Sequence, residues 1–145
     1  MKLSSTLRKR CGSALFVAFV AAAGMTGLSG PAQAATPQEL LAVYVAAAGV
    51  PASPERGQKL FTSTFGTQMG FSCSSCHGSV PTQRGKDQVT DKPIPPLAPA
   101  VNPLRFTDRS KVDHWFRLNC KDTVGRDCSA GEKADVMSWL LTLKP

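Results

Sequence analysis

Cys73-Ser74-Ser75-Cys76-His77 constrains this 145-residue chain more than any other stretch. Two thiols three positions apart, followed at once by a histidine, form the C-x-x-C-H attachment pattern of a c-type haem. Each thiol can form a thioether to one of the two porphyrin vinyl groups, which aims His77 at the iron as proximal ligand. A small chain holding such a group must close its core around a large apolar plate, so the motif limits fold as well as chemistry. Other readings of the same residues fare worse. A zinc site needs a second C-x-x-C or H-x-x-H pair, which the sequence lacks. A thioredoxin-like dithiol needs a βαβ pattern around it, also absent.

Haem attachment of this kind takes place outside the cytoplasm, and the N-terminus agrees. Lys2, Arg8, Lys9 and Arg10 form a positive region, Ala14 to Ala23 an apolar core, and Ala32-Gln33-Ala34 a small-residue cleavage site. Residues 1–34 therefore read as a cleaved signal peptide for a periplasmic protein. A retained membrane anchor is the competing reading. Gly24, Gly27, Gly30, Pro31 and Gln33 dilute the apolar run before the ~20 residues a span requires. No membrane span is expected after cleavage.

Cleavage also changes the charge. The whole chain carries +7, but residues 35–145 keep 13 Lys/Arg against all 10 acidic residues, a net +3. No basic run with interleaved aromatics remains, so a nucleic-acid partner is not expected. Mild positive charge suits an acidic redox partner, though weakly. Of five cysteines, Cys11 leaves with the signal peptide and Cys73 and Cys76 belong to the haem. Cys120 and Cys128 remain as an even pair in an oxidising compartment, where a disulfide is the natural state. Its short loop would contribute roughly 2.5 kcal/mol in the chain-entropy model.

Four helices are signalled, and no strand alternation of useful length. Thr36-Pro37-Gln38-Glu39 is a capping box ahead of an apolar run that ends at Gly49. Ser53-Pro54-Glu55 opens a second helix carrying Leu60 and Phe61. A third runs from Thr107 or Asp108 to Asn119, and a last one starts near Ser129 with Glu132 completing its box. Between motif and third helix, the proline-rich stretch Lys92 to Pro99 excludes helix and central strand. A carbonyl from Pro93 to Pro96 there is a candidate partner for the Nδ1 proton of His77, since proximal histidines need an orienting acceptor.

The second helix, the C-x-x-C-H and the final helix together resemble class I cytochrome c. Gly57, Phe61, Trp139 and Leu140 match the family's crossing of an early Gly-x-x-x-aromatic helix over an aromatic-Leu pair. The resemblance implies an all-α class I cytochrome c-like fold around one covalent haem c. Residues 53–145 form that domain, with residues 35–52 an added helix and linker.

The sixth iron position is less plain. No methionine lies between His77 and Val136, where the usual soft ligand of an electron carrier would be found; Met69 sits beside the motif and Met137 in the last helix. At ~100° per residue, Val112, Trp115, Phe116 and Asn119 share one core-facing stripe of the third helix. Trp115 and Phe116 would then pack on the haem with Asn119 inward, while His114 faces water with Ser110 and Arg117. Asparagine is also a common helix C-terminal cap, and periodicity alone leaves cap and ligand open.

Asn119-Cys120, Gly125-Arg126-Asp127-Cys128, Gly131 to Asp135 and Trp139-Leu140 are similar to the sphaeroides haem protein family of high-spin cytochromes c. Leu97-Ala98-Pro99 and Arg105-Phe106-Thr107-Asp108 match as well. The resemblance implies that Asn119 is the distal ligand of ferric iron and leaves on reduction, and that Cys120–Cys128 is a disulfide. A cousin family, the cytochromes c'' of methylotrophs, has histidine as its detachable ligand, where this chain has Asn119. The resemblance further implies electron exchange with a dihaem cytochrome c and binding of a diatomic gas (O2, NO or CO) at ferrous haem. Two alternatives stay open: a plain six-coordinate electron carrier, and an enzyme consuming oxygen or nitric oxide.

Overall fold

The computed structural model describes residues 35–145; the expected signal peptide lies outside the described residues. Five helices appear in order: α1 (Pro37–Ala48), α2 (Pro54–Thr62), α3 (Cys73–His77), α4 (Arg109–Val124) and α5 (Ala130–Thr142). The only regular strands among the described residues are the two-residue pair β1 (Gly85–Lys86) and β2 (Pro93–Ile94), antiparallel with Gly85 opposite Ile94. The fold is helical, as the sequence implies.

Local chemistry sets the helix ends. In α1 the Thr36 hydroxyl accepts from Glu39 N at 3.1 Å, and Glu39 Oε2 accepts from Thr36 N at 2.7 Å. These bonds satisfy two donors that a helix start leaves unpaired, and proline at the first position fixes φ there. Ser129 and Glu132 do the same for α5. Arg126 grips the Glu132 carboxylate with two nitrogens, at 2.6 and 2.8 Å. That grip holds the Glu132 carboxyl at about 2, below the ordinary glutamate value.

The core is the crossing of α2 over α5. Gly57 lies against the backbone of Asp135 and Val136, and Phe61 packs on Trp139 with ring centroids 4.9 Å apart. A side chain at position 57 would hold the helices apart, so glycine is what allows the crossing. Asp135 locks it: its carboxylate accepts two 2.7 Å bonds from Arg56 and a third, also 2.7 Å, from Ser53 N.

The added helix α1 buries Leu40 and Tyr44 in the same core. The Tyr44 hydroxyl donates to Asp113 on α4 at 2.8 Å, and Lys133 on α5 donates to the same carboxylate oxygen at 2.8 Å. The Tyr44 ring stands edge-on to Phe116 at 6.3 Å. Burial and the neighbouring Asp113 raise the Tyr44 phenol far above its ordinary value, so it stays a donor. Helix α1 thus braces α4 from behind.

One boundary differs from the sequence expectation. Helix α4 does not stop at Asn119 but continues to Val124 and ends at Gly125 in the left-handed conformation, φ 80°. The Thr123 hydroxyl donates to Asn119 O at 2.8 Å inside the extra turn, and Cys120 in that turn is disulfide-bonded to Cys128 ahead of α5. Glycine, free of the Cβ penalty, is the terminator. Asn119 is therefore interior to the helix, which removes its reading as a cap.

Candidate haem site

The attachment motif is itself a single helical turn. Ser72 caps α3, accepting from Ser75 N at 3.2 Å while Ser75 Oγ accepts from Ser72 N at 3.0 Å. Gly78 closes the turn with its N–H on Ser74 O at 2.9 Å. Strand β1 presses on the back of this turn. A Cβ at Gly85 would overlap Cys76 O and come within 2.9 Å of His77 Cα. Gln88 adds a side-chain bond to Ser75 O at 2.8 Å.

Cys73, Cys76 and His77 line a cavity of about 580 Å³, within the ~300–1,000 Å³ range of cofactor and ligand pockets. The same cavity is lined by Val112, Trp115, Phe116 and Asn119, the stripe read from the periodicity of α4. Cys120 and Cys128 reach it too. His114 does not line it; it is exposed, with Nδ1 3.3 Å from Arg117 Nη2. Met69 lines the cavity, whereas Met137 is wholly buried in the core. All eight cofactor, iron and disulfide candidates from the sequence converge on one space.

Burial first, and the Arg105 guanidinium second, push the His77 imidazole down to about 4. It is neutral at physiological pH, the form a metal ligand requires. Its ring lies 6.2 Å from that of Phe61, tying it to the α2–α5 crossing. Burial also raises the Cys73 thiol, so the sulfur is not a standing thiolate.

No hydrogen bond joins His77 to the carbonyls of Pro93 to Pro96, from which the sequence suggested an orienting acceptor. Pro96 O accepts from Arg105 Nε at 3.0 Å and Asn102 Nδ2 at 2.9 Å, and Pro95 O accepts from Arg105 Nη2 at 2.9 Å. Pro93 stands in β2, paired with Lys86. The loop's free carbonyls are drawn to a neighbouring guanidinium and amide, which offer several donors where His77 offers one.

These walls fit a haem c. Leu60, Phe61, Phe71, Ile94 and Leu97 supply apolar surface for a porphyrin face, and the motif supplies two sulfurs and an imidazole. Among the described residues no three His, Cys, Asp or Glu side chains gather to hold a bare metal ion. Gly85, Gln88 and Thr123 were not legible as site residues. Gly85 meets the motif backbone directly, while the Gln88 and Thr123 side chains donate to backbone carbonyls of Ser75 and Asn119, contacts that leave no sequence pattern.

A helical fold closed around a C-x-x-C-H turn, with Gly57 and Phe61 crossed on Trp139 and Leu140, defines a class I-like cytochrome c. A family model described as a domain of unknown function (DUF1924) matches residues 47–140. Cytochrome c-type protein SHP of Cereibacter sphaeroides is 49% identical over 117 residues, spanning 78% of this chain and 90% of that protein. The solved structure of oxidized SHP, described as an oxygen binding cytochrome c, superposes with a TM-score of 0.69 at 46% identity, covering 74% of this chain and 97% of its own. Oxidized cytochrome c'' from Methylophilus methylotrophus superposes with a TM-score of 0.68 at 39% identity, covering 75% and 95%. The chain belongs to the sphaeroides haem protein (SHP) family of cytochromes c.

Proposed function

We propose that this protein is a periplasmic cytochrome c with one covalent haem that couples one-electron transfer to reversible binding of a diatomic gas. The observation that carries the reading is Asn119 inside α4, on the stripe that lines the His77 cavity. Residues 1–34 would direct export and be removed, Cys73 and Cys76 would hold the porphyrin, and His77 would ligate its iron. When bound, haem c supplies the one-electron couple and an iron open to a small gas.

Asn119 does the switching. Its carboxamide oxygen is a hard, neutral donor that suits ferric iron better than ferrous. Bound through that oxygen in the ferric state, Asn119 would be the more weakly held in the ferrous state, and its Nδ2 would have protons to donate to a gas such as O2, NO or CO. Distal donors of this kind govern whether oxygen is held. The backbone that carries the amide is held by the Thr123 bond to Asn119 O and by the Cys120–Cys128 bridge. Trp115 and Phe116 supply apolar cover. A dihaem cytochrome c is the electron partner we propose, on the sequence resemblance alone, and the SHP relative described as oxygen binding supports oxygen as one gas.

Met69 on the cavity wall supports a second reading, a six-coordinate electron carrier with sulfur bound. Asn119→Ala separates the two. The ferric absorption spectrum of the variant is expected to move to that of iron lacking its distal ligand while the wild type keeps a sixth ligand. Identical ferric spectra in the two proteins eliminate Asn119.

A further inference from the structure

Three polar side chains are buried among the described residues: Ser72, Thr123 and Asp135. Ser72 caps α3 and Asp135 locks the α2–α5 crossing. Thr123, 7% exposed, stands near the end of α4. Threonine is a poor choice for a helix interior. It loses side-chain freedom there, and a hydroxyl bonded back to the carbonyl four residues earlier bends the helix. Valine would fill nearly the same space with no polar atom to bury.

The surroundings give this hydroxyl a use. Thr123 lines the same cavity as His77 and Asn119. Its Oγ1 donates to Asn119 O at 2.8 Å and lies 3.9 Å from Cys73 Sγ, a sulfur of the attachment motif. A hydroxyl has a single proton, and a carbonyl accepts it far better than a thioether sulfur does. With Cys73 as a thioether, that proton stays on Asn119 O. One residue earlier, Asp122 O accepts from Thr67 Oγ1 at 3.0 Å, in the segment that leads into the motif. The last turn of α4 is thus docked on the motif side of the cavity at two consecutive residues. The Thr123 hydroxyl joins that docking to the backbone of Asn119.

We infer that Thr123 is a positioning residue for Asn119: its hydroxyl registers the turn that carries the distal carboxamide against the motif sulfur of Cys73, and so strengthens the hold of that carboxamide on ferric iron. The inference rests on the reading of Asn119 as distal ligand. Residues 119 and 123 are about one turn apart on α4, so a change of bend at this bond moves the Asn119 backbone and the amide with it. A ligand held in place by its supporting bonds binds more tightly than one left free to wander. Thr123 acts through Asn119, not on the gas.

Titrating the purified ferric holoprotein with cyanide tests this, because an added ligand binds only the fraction of molecules whose sixth position is open. Thr123→Val removes the hydroxyl and keeps the shape. It is expected to lower the cyanide dissociation constant about fivefold, the worth of one ordinary hydrogen bond. Thr123→Ala carries the same expectation where the valine variant fails to accumulate with haem. Thr123→Ser keeps the hydroxyl and should retain most of the wild-type constant. In an Asn119→Ala background, Thr123→Val should have no effect, since the competing amide is gone. An unchanged constant on loss of the hydroxyl overturns the inference. An equal fall in Thr123→Ser also overturns it, making methyl packing the cause. So does an equal fall in the Asn119→Ala background, which would mark a generally loosened cavity. Asn119→Ala alone must first lower the constant relative to wild type. Its failure to do so removes the reading of Asn119 as ligand, before Thr123 is touched.

Discussion

Gly57→Ala is expected to destabilise the domain by about 3 kcal/mol, at the upper end of overpacking costs. Its Cβ would overlap the Asp135 carbonyl and lie 2.8 Å from Val136 N, so backbone meets backbone and no side chain can turn aside. Helices α2 and α5 would have to separate, opening the Phe61–Trp139 contact and stretching the Arg56–Asp135 fork together. Against total stabilities of ~5–15 kcal/mol, the melting temperature should fall by roughly 15 °C. Gly49→Ala is the control. It has left-handed backbone, φ 68°, and nothing within 4 Å, so it should cost only about 1 kcal/mol. Thermal unfolding of the two holoproteins, followed by circular dichroism, reads the difference. Equal melting temperatures would show that the close crossing does not hold the fold.

Replacing Cys73 and Cys76 together by serine is expected to abolish covalent haem and most of the ordered structure with it. The walls of the 580 Å³ cavity are contributed by α2, α3, α4 and the proline loop, so these elements share one filling. An unfilled apolar cavity costs ~24 cal/mol per Å³ in large-to-small core variants. Extrapolated to this volume, that is about 14 kcal/mol, at the top of the range of ordinary domain stabilities, so the walls should collapse or unfold instead. The mass of the chain exported from a host that matures cytochromes, with its far-ultraviolet circular dichroism, checks both parts. Wild type should weigh one haem more than its polypeptide; the double variant should carry none and lose helix. A variant that keeps haem through denaturation would refute attachment at these sulfurs.

What the sequence made legible was what depends on side-chain chemistry at short range. The capping boxes at Thr36 and Ser129, the turn-ending Gly49 and the cavity-facing stripe of α4 are local patterns, and each appears as read. The end of α4 was misplaced because Asn119 is chemically a good cap, while the bonds that carry the helix past it come from Thr123 and a disulfide. Competition among donors explains the proline loop: any of its carbonyls could serve His77 on paper. Only the fold reveals that Arg105 and Asn102 stand beside Pro95 and Pro96. Gly85 is the plainest gap, since its role is the room it leaves for Cys76 O. Close backbone approach leaves no mark beyond a glycine, and glycines are common in loops.

The decisive measurement is the absorption spectrum of the purified, chemically reduced protein before and after carbon monoxide. A distal amide that lets go on reduction predicts a high-spin, five-coordinate ferrous spectrum that converts with one equivalent of the gas. A low-spin, six-coordinate ferrous spectrum that carbon monoxide leaves untouched would contradict it.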